Sequence, residues 1–240
     1  MPVEYLPGGD TAFTIQFGYD VERSLSLQVM RIKAALDRAK LSGVVETVTT
    51  YRSMIVHYDP LRTSQDRLIA AIDPLLENAP AIAATGTTWF IPICYDREFA
   101  LDLDFVAEQW GMTAERMVEI HTSIEHYVYM LGFQPGQPHM GDLPKEMTLS
   151  RRQEPRVFVQ KGSVLTATGL TVIYPNDNPS GWHIIGRTPL ELFDFRWERP
   201  SLLTAGDTVI CEPIDRDEYD HIRARVEADE YEIKRREKDA

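Results

Sequence analysis

With 240 residues, 43% of them hydrophobic and 26% charged, the chain has the make-up of a globular protein with room for one large core or two small ones. A formal net charge of −12 excludes a general binder of nucleic acid or of acidic membranes, because such partners require a basic face. No apolar run approaches the roughly 20 residues of a membrane span. The stretch Met1–Tyr5 carries no basic region followed by an apolar core, so no signal peptide is expected. Cys94 and Cys211 make no disulfide framework and read as buried thiols, which fits a reducing cytoplasm.

In chain order, Thr11–Phe17 has the pattern of a strand and Gly18-Tyr19-Asp20 turns it into a helix. Leu25, Val29, Ile32 and Leu36 then form one apolar helical face. Gly43 closes that unit. Val44–Thr50 and Ser53–Tyr58 read as paired strands, and a second helix opens near Ser64 with Leu68, Ile72, Leu75 and Leu76 on one side. Pro74 is expected to kink or shorten it. A further strand, Trp89–Cys94, follows. The order strand, helix, two strands, helix, strand is the split β-α-β pattern of a ferredoxin-like sandwich. The small, uncharged segment Ala79–Gly86 is the boundary candidate. Beyond it, Leu103–Trp110 and Thr113–Thr122 read as two short helices split by Gly111. Short strands with frequent turn signals from Tyr127 to Ile214 indicate a β-barrel or sandwich, and the charge-dense Asp215–Ala240 reads as a solvated helix.

The chemistry is concentrated between Tyr127 and Thr188. There is no Walker loop, no Gly-x-Gly-x-x-Gly and no Gly-x-Ser-x-Gly elbow, and the histidines at 57, 121, 126, 139, 183 and 221 show no metal-ligand spacing. His57 and His121 read as structural. Instead, Arg151, Arg152, Arg156, Lys161 and Arg187 are gathered among turns rich in glycine and proline. Guanidinium groups bind carboxylates or phosphates bidentately, and glycine turns let backbone N–H groups approach the same anion. These residues read equally well as an anion or docking site and as surface arginines paired with Glu146, Glu154 and Glu191. Tyr129, Phe133, Tyr174 and Trp182 read as core or pocket wall. His139 and His183 lie inside turns and are cleft candidates, and Ser163 follows the turn glycine Gly162. Nothing here makes a complete enzyme.

Leu131-Gly132-Phe133, Pro135-Gly136, Pro138, Leu143-Pro144, Arg151-Arg152, Pro155-Arg156, Gly162-Ser163-Val164, Ile173-Tyr174-Pro175 and Gly186-Arg187-Thr188-Pro189 resemble the family of allophanate hydrolase subunit 1. That family is also known as the KipI family and as the B-type subunit of bacterial 5-oxoprolinase. Gly9-Asp10-Thr11-Ala12 and Tyr58-Asp59-Pro60 fit its opening domain. The resemblance implies an α+β fold, with a ferredoxin-like N-terminal domain over 1–85 and a cyclophilin-like β-barrel domain over 86–214; a charged segment, 215–240, follows. It implies a partner, allophanate hydrolase subunit 2 (KipA-like, similar to the C-type subunit of 5-oxoprolinase). A third subunit, a hydrolase, would complete an ATP-using complex that opens a small cyclic amide. Two alternatives come with the family. One is a carboxyltransferase component working with a biotin carboxylase, which moves a carboxyl group from carboxybiotin to a urea-like nitrogen. The other is an inhibitor of a sensor histidine kinase. In family terms Arg152, Arg156 and Arg187 are the leading candidates for the site or an interface, with Ser163, Tyr174, His139, Asp142 and His183 around them. Where the family usually carries aromatic residues and Leu-Gly-Gly, this chain has Gln137, His139-Met140-Gly141 and Asp142. Before Ile173-Tyr174-Pro175, Leu170-Thr171-Val172 replaces the usual Gln-Thr-Gly. The departures imply a divergent member, and Gln137, His139 and Asp142 make the first of these loops more polar.

Overall fold

A computed structural model describes residues 3–80 and 86–237, which fall into two compact units dividing between Pro80 and Gly86. Most of the boundary segment, 81–85, lies outside the described residues.

The first unit contains β1 (Glu4–Pro7), β2 (Ala12–Gln16), α1 (Arg23–Ala39), β3 (Val44–Thr49), β4 (Ser53–Tyr58) and α2 (Gln65–Asn78). The four strands form one antiparallel sheet in the order β1-β2-β4-β3. Leu25, Val29, Ile32 and Leu36, the predicted face of α1, are buried with Phe13, Ile15, Met54 and Val56 from the sheet and Leu68 and Ile72 from α2. Ser64 caps α2, its Oγ accepting from the Arg67 N–H. The helix is not shortened at Pro74 but runs on to Asn78. One strand assignment changes. The residues after 86 expected to finish this sheet belong to the second unit, and the place beside β2 is taken by β1. The alternation of Glu4–Pro7 is too short and too exposed to announce a strand.

The second unit is built on β5 (Thr87–Cys94), α3 (Leu103–Gln109), α4 (Ala114–Ser123), β6 (Glu125–Leu131), β7 (Pro138–Met140), β8 (Arg156–Val159), β9 (Ser163–Ala167), β10 (Leu170–Ile173), β11 (Asn178–Ser180), β12 (His183–Arg187), β13 (Thr208–Ile214), α5 (Arg216–Glu227) and β14 (Arg235–Glu237). Strands in the order β12-β9-β10-β7-β6-β13-β5 close into a seven-stranded barrel when β12 meets β5 at Arg187 and Cys94. Closure removes the sheet edges that would otherwise need protection. The β13–β5 pair is parallel and the other barrel pairs are antiparallel. Ile91, Ile93, Val128, Met140, Val164, Ile173, Ile185 and Val209 supply the core from strands, and Leu103, Val106 and Met117 add to it from α3 and α4. The charged segment after Ile214 is more than a solvated helix: α5 buries Tyr219 and Ile222, and β14 pairs with β5. Both cysteines are free and buried.

One buried carboxylate ties the start of β5 to the turn before β13. Asp207 is 4% exposed and accepts from the Thr87 N–H (2.9 Å), Trp89 Nε1 (3.0 Å), the Thr204 N–H (2.9 Å) and Thr204 Oγ1 (3.2 Å). Removing it strands several buried donors at once, so Asp207→Ala is expected to lower stability by about 2–4 kcal/mol. Denaturant unfolding would show the loss, and an unchanged midpoint would refute it.

Candidate functional site

The arginine cluster divides into two pairs with different neighbours. Arg152 and Arg156 converge on Asp102, a carboxylate 5% exposed in the turn before α3. Arg156 grips it bidentately, Nη1 to Oδ2 at 2.7 Å and Nη2 to Oδ1 at 2.8 Å, while Arg152 Nη1 reaches Oδ1 at 3.0 Å. The Ile184 N–H donates to Oδ2 at 2.8 Å, and the Asp102 N–H returns a bond to the Ile184 carbonyl. Burial alone would raise the pKa of Asp102. The Arg156 and Ile184 hydrogen bonds and the two guanidinium charges outweigh it and hold the carboxyl below its ordinary value. The clamp joins the α3 turn, β8 and β12. The carboxylate that engages these arginines is therefore Asp102, and not Glu146, Glu154 or Glu191. Nothing around Asp102 in the sequence marks it, and only the barrel closure brings it to residues 50 and 54 positions away.

Arg187 and Arg151 pair with no carboxylate among the described residues. Arg187 sits at the end of β12 directly opposite Ser163 on β9. Its Nε donates to the Lys161 carbonyl at 3.1 Å and its Nη1 to Gln160 Oε1 at 2.8 Å. The guanidinium lies over the rings of Phe99 (5.3 Å) and Tyr219 (5.9 Å). Gly162 makes this arrangement possible. It adopts φ +80, its N–H donates to the Tyr174 carbonyl and its carbonyl accepts from the Thr188 N–H, and a Cβ there would collide with the Thr188 carbonyl. Arg187, Ser163, Gln160, Phe99, Leu101 and Phe158 line a cavity of about 180 Å³, large enough only for a small molecule. Glu98, also on its wall, is ion-paired with Arg216. Arg187 is the cation among the residues that line it, and Lys161, outside the wall, pairs with Glu191 at 2.8 Å.

Arg151 is exposed and stacks over Trp182 at 5.8 Å. His139 meets the same indole edge-on, with 6.3 Å between centroids. Burial lowers the pKa of His139 and the Arg151 charge adds to the effect, so the ring is neutral near pH 7. Tyr174 donates its hydroxyl to Ser180 at 2.9 Å, and burial raises its pKa. His183 is held by the Ser150 carbonyl at 3.0 Å and stacks on Phe105 at 5.4 Å; it belongs with neither uncommitted arginine. Asp142 is exposed at φ +75, and its Oδ1 accepts from the Tyr129 hydroxyl at 2.9 Å. Phe133, read as core or pocket wall, is 73% exposed; its φ of +71 turns it out of the barrel.

Such a site can hold a planar anion or a polarised carbonyl oxygen. It offers one guanidinium of fixed direction, a serine hydroxyl and aromatic walls. Reading the sequence found Arg187, Ser163 and Gly162 but missed Phe99, Gln160 and Tyr219, which lie in unremarkable stretches and meet only in the folded barrel.

The sequence pattern of the carboxyltransferase domain, subdomain C and D, matches residues 3–203. The B-type subunit of 5-oxoprolinase from Bacillus subtilis is 34% identical over 212 residues, which span 84% of this chain and 88% of that protein. Among solved structures, TTHA0988 superposes with a TM-score of 0.74 at 31% identity over 85% of this chain; the chain accounts for 40% of that longer polypeptide. The urea amidolyase of Kluyveromyces lactis shares the fold over 98% of this chain, with a TM-score of 0.85 at 19% identity, and there the match is 16% of that polypeptide.

Proposed function

The chain belongs to the carboxyltransferase-domain family, and from that premise we propose that it is one subunit of an ATP-dependent amidohydrolase complex acting on a small cyclic amide or urea-like compound. Its companions in this reading are a subunit 2, similar to the C-type subunit of 5-oxoprolinase, and a larger hydrolase subunit, and ATP is consumed by the assembly. The first unit is read as ferredoxin-like and the barrel as cyclophilin-like. The structural observation that carries the proposal is Arg187, a cation without a carboxylate partner among the described residues, beside Ser163 on the wall of a small cavity. When an amide is activated by phosphorylation or attacked at its carbonyl, negative charge develops on oxygen, and a preorganised guanidinium stabilises it. The near full-length similarity to the B-type subunit of 5-oxoprolinase supports the same reading.

Tagged chain recovered with its bound companions from the native lysate tests it. The expected result is a subunit 2 and a hydrolase subunit in the eluate, with ATP-dependent ring opening of one member of a panel of cyclic amides and ureas. Companions without ATP-dependent hydrolysis would sink the proposal.

A second reading is carboxyl transfer from a biotinylated carrier to a urea-like nitrogen. It is favoured by the family pattern, that of a carboxyltransferase domain, which matches residues 3–203. A biotin carboxylase in the same eluate would select it.

In either reading the polar loop at Gln137, His139 and Asp142 bears on substrate choice. Asp142→Gly exchanges one hydrogen bond from Tyr129 for relief of a positive φ, so stability should change by less than about 1 kcal/mol. The order of kcat/KM across the panel should change, and an identical order would remove Asp142 from substrate selection.

A further inference from the structure

We propose that His121, His126 and Cys211 form a binding site for a borderline-soft transition metal, with Zn²⁺ as the natural occupant, inside the second unit and independent of the function proposed above. All three side chains are buried, and one ligand atom from each lies within 4.8 Å of the others. They come from the end of α4, the start of β6 and the middle of β13. Their positions at 121, 126 and 211 hide the set from any reading of spacing; His121 and Cys211 read from sequence as structural or merely buried.

The hydrogen bonds around His126 suit a metal better than a plain core. His121 is held at both ring nitrogens, by the Tyr95 hydroxyl at 2.8 Å and by Thr171 Oγ1 at 3.4 Å, so that a metal would take the place of the longer contact. His126 Nε2 meets the His121 carbonyl at 2.9 Å, and a carbonyl needs an N–H. That contact fixes the tautomer and leaves Nδ1 as a bare lone pair. His126 Nδ1 is buried and meets no donor among the described residues; the Gly141 carbonyl beside the ring is an acceptor and cannot fill that lone pair. Such orphans are uncommon in folded proteins, and an unfilled ion site is one of their standard causes. An imidazole whose second nitrogen donates to a backbone carbonyl is also the usual outer-shell arrangement of a metal-ligating histidine. Tyr95 adds an oxygen at the same place, its hydroxyl 2.8 Å from His121 Nδ1. Two imidazoles, a thiol and a hydroxyl form a donor set that selects Zn²⁺ or Co²⁺ over Mg²⁺ or Ca²⁺.

A tetrahedral site with metal–nitrogen and metal–sulfur bonds of about 2.0–2.3 Å sets its ligands roughly 3.5 Å apart, so the trio closes by on the order of 1 Å of side-chain rotation. Of the three ligands only the thiol has a proton to give up, the imidazoles binding through a ring lone pair. Binding therefore replaces the thiol S–H bond with a metal–sulfur bond and releases that proton to solvent. Because all three side chains are buried, loading belongs to folding.

The test is to refold the full chain with Co²⁺ and record its absorption beside circular dichroism. The expected result is a thiolate-to-cobalt charge-transfer band with metal retained through gel filtration. The band should be lost in Cys211→Ser, reduced in His126→Gln and kept in Cys94→Ser, the other thiol. If Cys211→Ser does not fold, the persistence of the band in Cys94→Ser still assigns it to Cys211. Wild-type chain that folds in Co²⁺ without the band and without retained metal would overturn the site, leaving the trio a hydrogen-bonded core cluster.

Discussion

Asp102→Asn is expected to destabilise the chain by about 3 kcal/mol and to lower the thermal midpoint by roughly 6–12 °C. The figure is the lower end of the range for breaking a buried ion pair, because the Arg152 and Arg156 side chains are still about a quarter exposed. An asparagine keeps one acceptor but turns an amide donor toward guanidiniums that are donors only, and the Ile184 N–H loses a charged partner. The direction with pH follows from the carboxyl's lowered pKa. The folded state holds the Asp102 proton less tightly than the unfolded state, so the clamp stabilises fully above the ordinary carboxylate value of 3.8 and is lost as pH falls through the lowered one. The gap between wild type and variant should therefore be constant near pH 7 and begin to narrow as pH falls below the ordinary value of 3.8, read as urea midpoints. A gap that does not depend on pH would show that the two guanidiniums draw nothing from Asp102.

Much of the barrel is legible in the sequence because turn chemistry is local. Gly162, Gly136 and the proline-rich segments announce short strands through turn conformations that few residues suit. The α1 face is equally plain, since four apolar residues at helical spacing leave one way to bury them. Contacts made across the chain are hidden. Asp102 has no local signature as a clamp, yet its partners at 152, 156 and 184 decide which arginines remain available. Likewise Trp89–Cys94 has the apolar run of any buried strand, and such a run does not say which sheet it will join. Its parallel pairing with β13, more than a hundred residues on, and its closing contact with β12 assign it to the barrel. The metal-ligating trio is hidden for the same reason.

Arg187→Ala is expected to lower turnover of the assembled complex by about 100-fold or more while lowering its thermal midpoint by only about 2–6 °C. Removing one preorganised charge-stabilising donor from an enclosed site typically costs about 10²–10³ in kcat. Its contribution to folding is smaller, for it forms no ion pair among the described residues, and its hydrogen bonds to the Lys161 carbonyl and Gln160 with its stacking on Phe99 and Tyr219 are together worth about 1–2 kcal/mol. Arg156→Ala should behave in the opposite sense. It leaves the Asp102 carboxylate buried and half-paired, so its loss of activity should follow its loss of folded protein. Arg187→Lys separates charge from geometry: a lysine cannot reproduce a fork held by the Lys161 carbonyl and Gln160, so it should recover little of the rate. Steady-state rates of the reconstituted complex, normalised to folded protein, distinguish the cases. Full turnover in Arg187→Ala would move the chemistry away from this cavity, and full rescue by lysine would reduce the role of Arg187 to charge alone. A kcat loss confined to Arg187→Ala, with Arg156→Ala following stability, would mean that the barrel uses one arginine pair to hold β8 and β12 in place and a different arginine to meet the substrate.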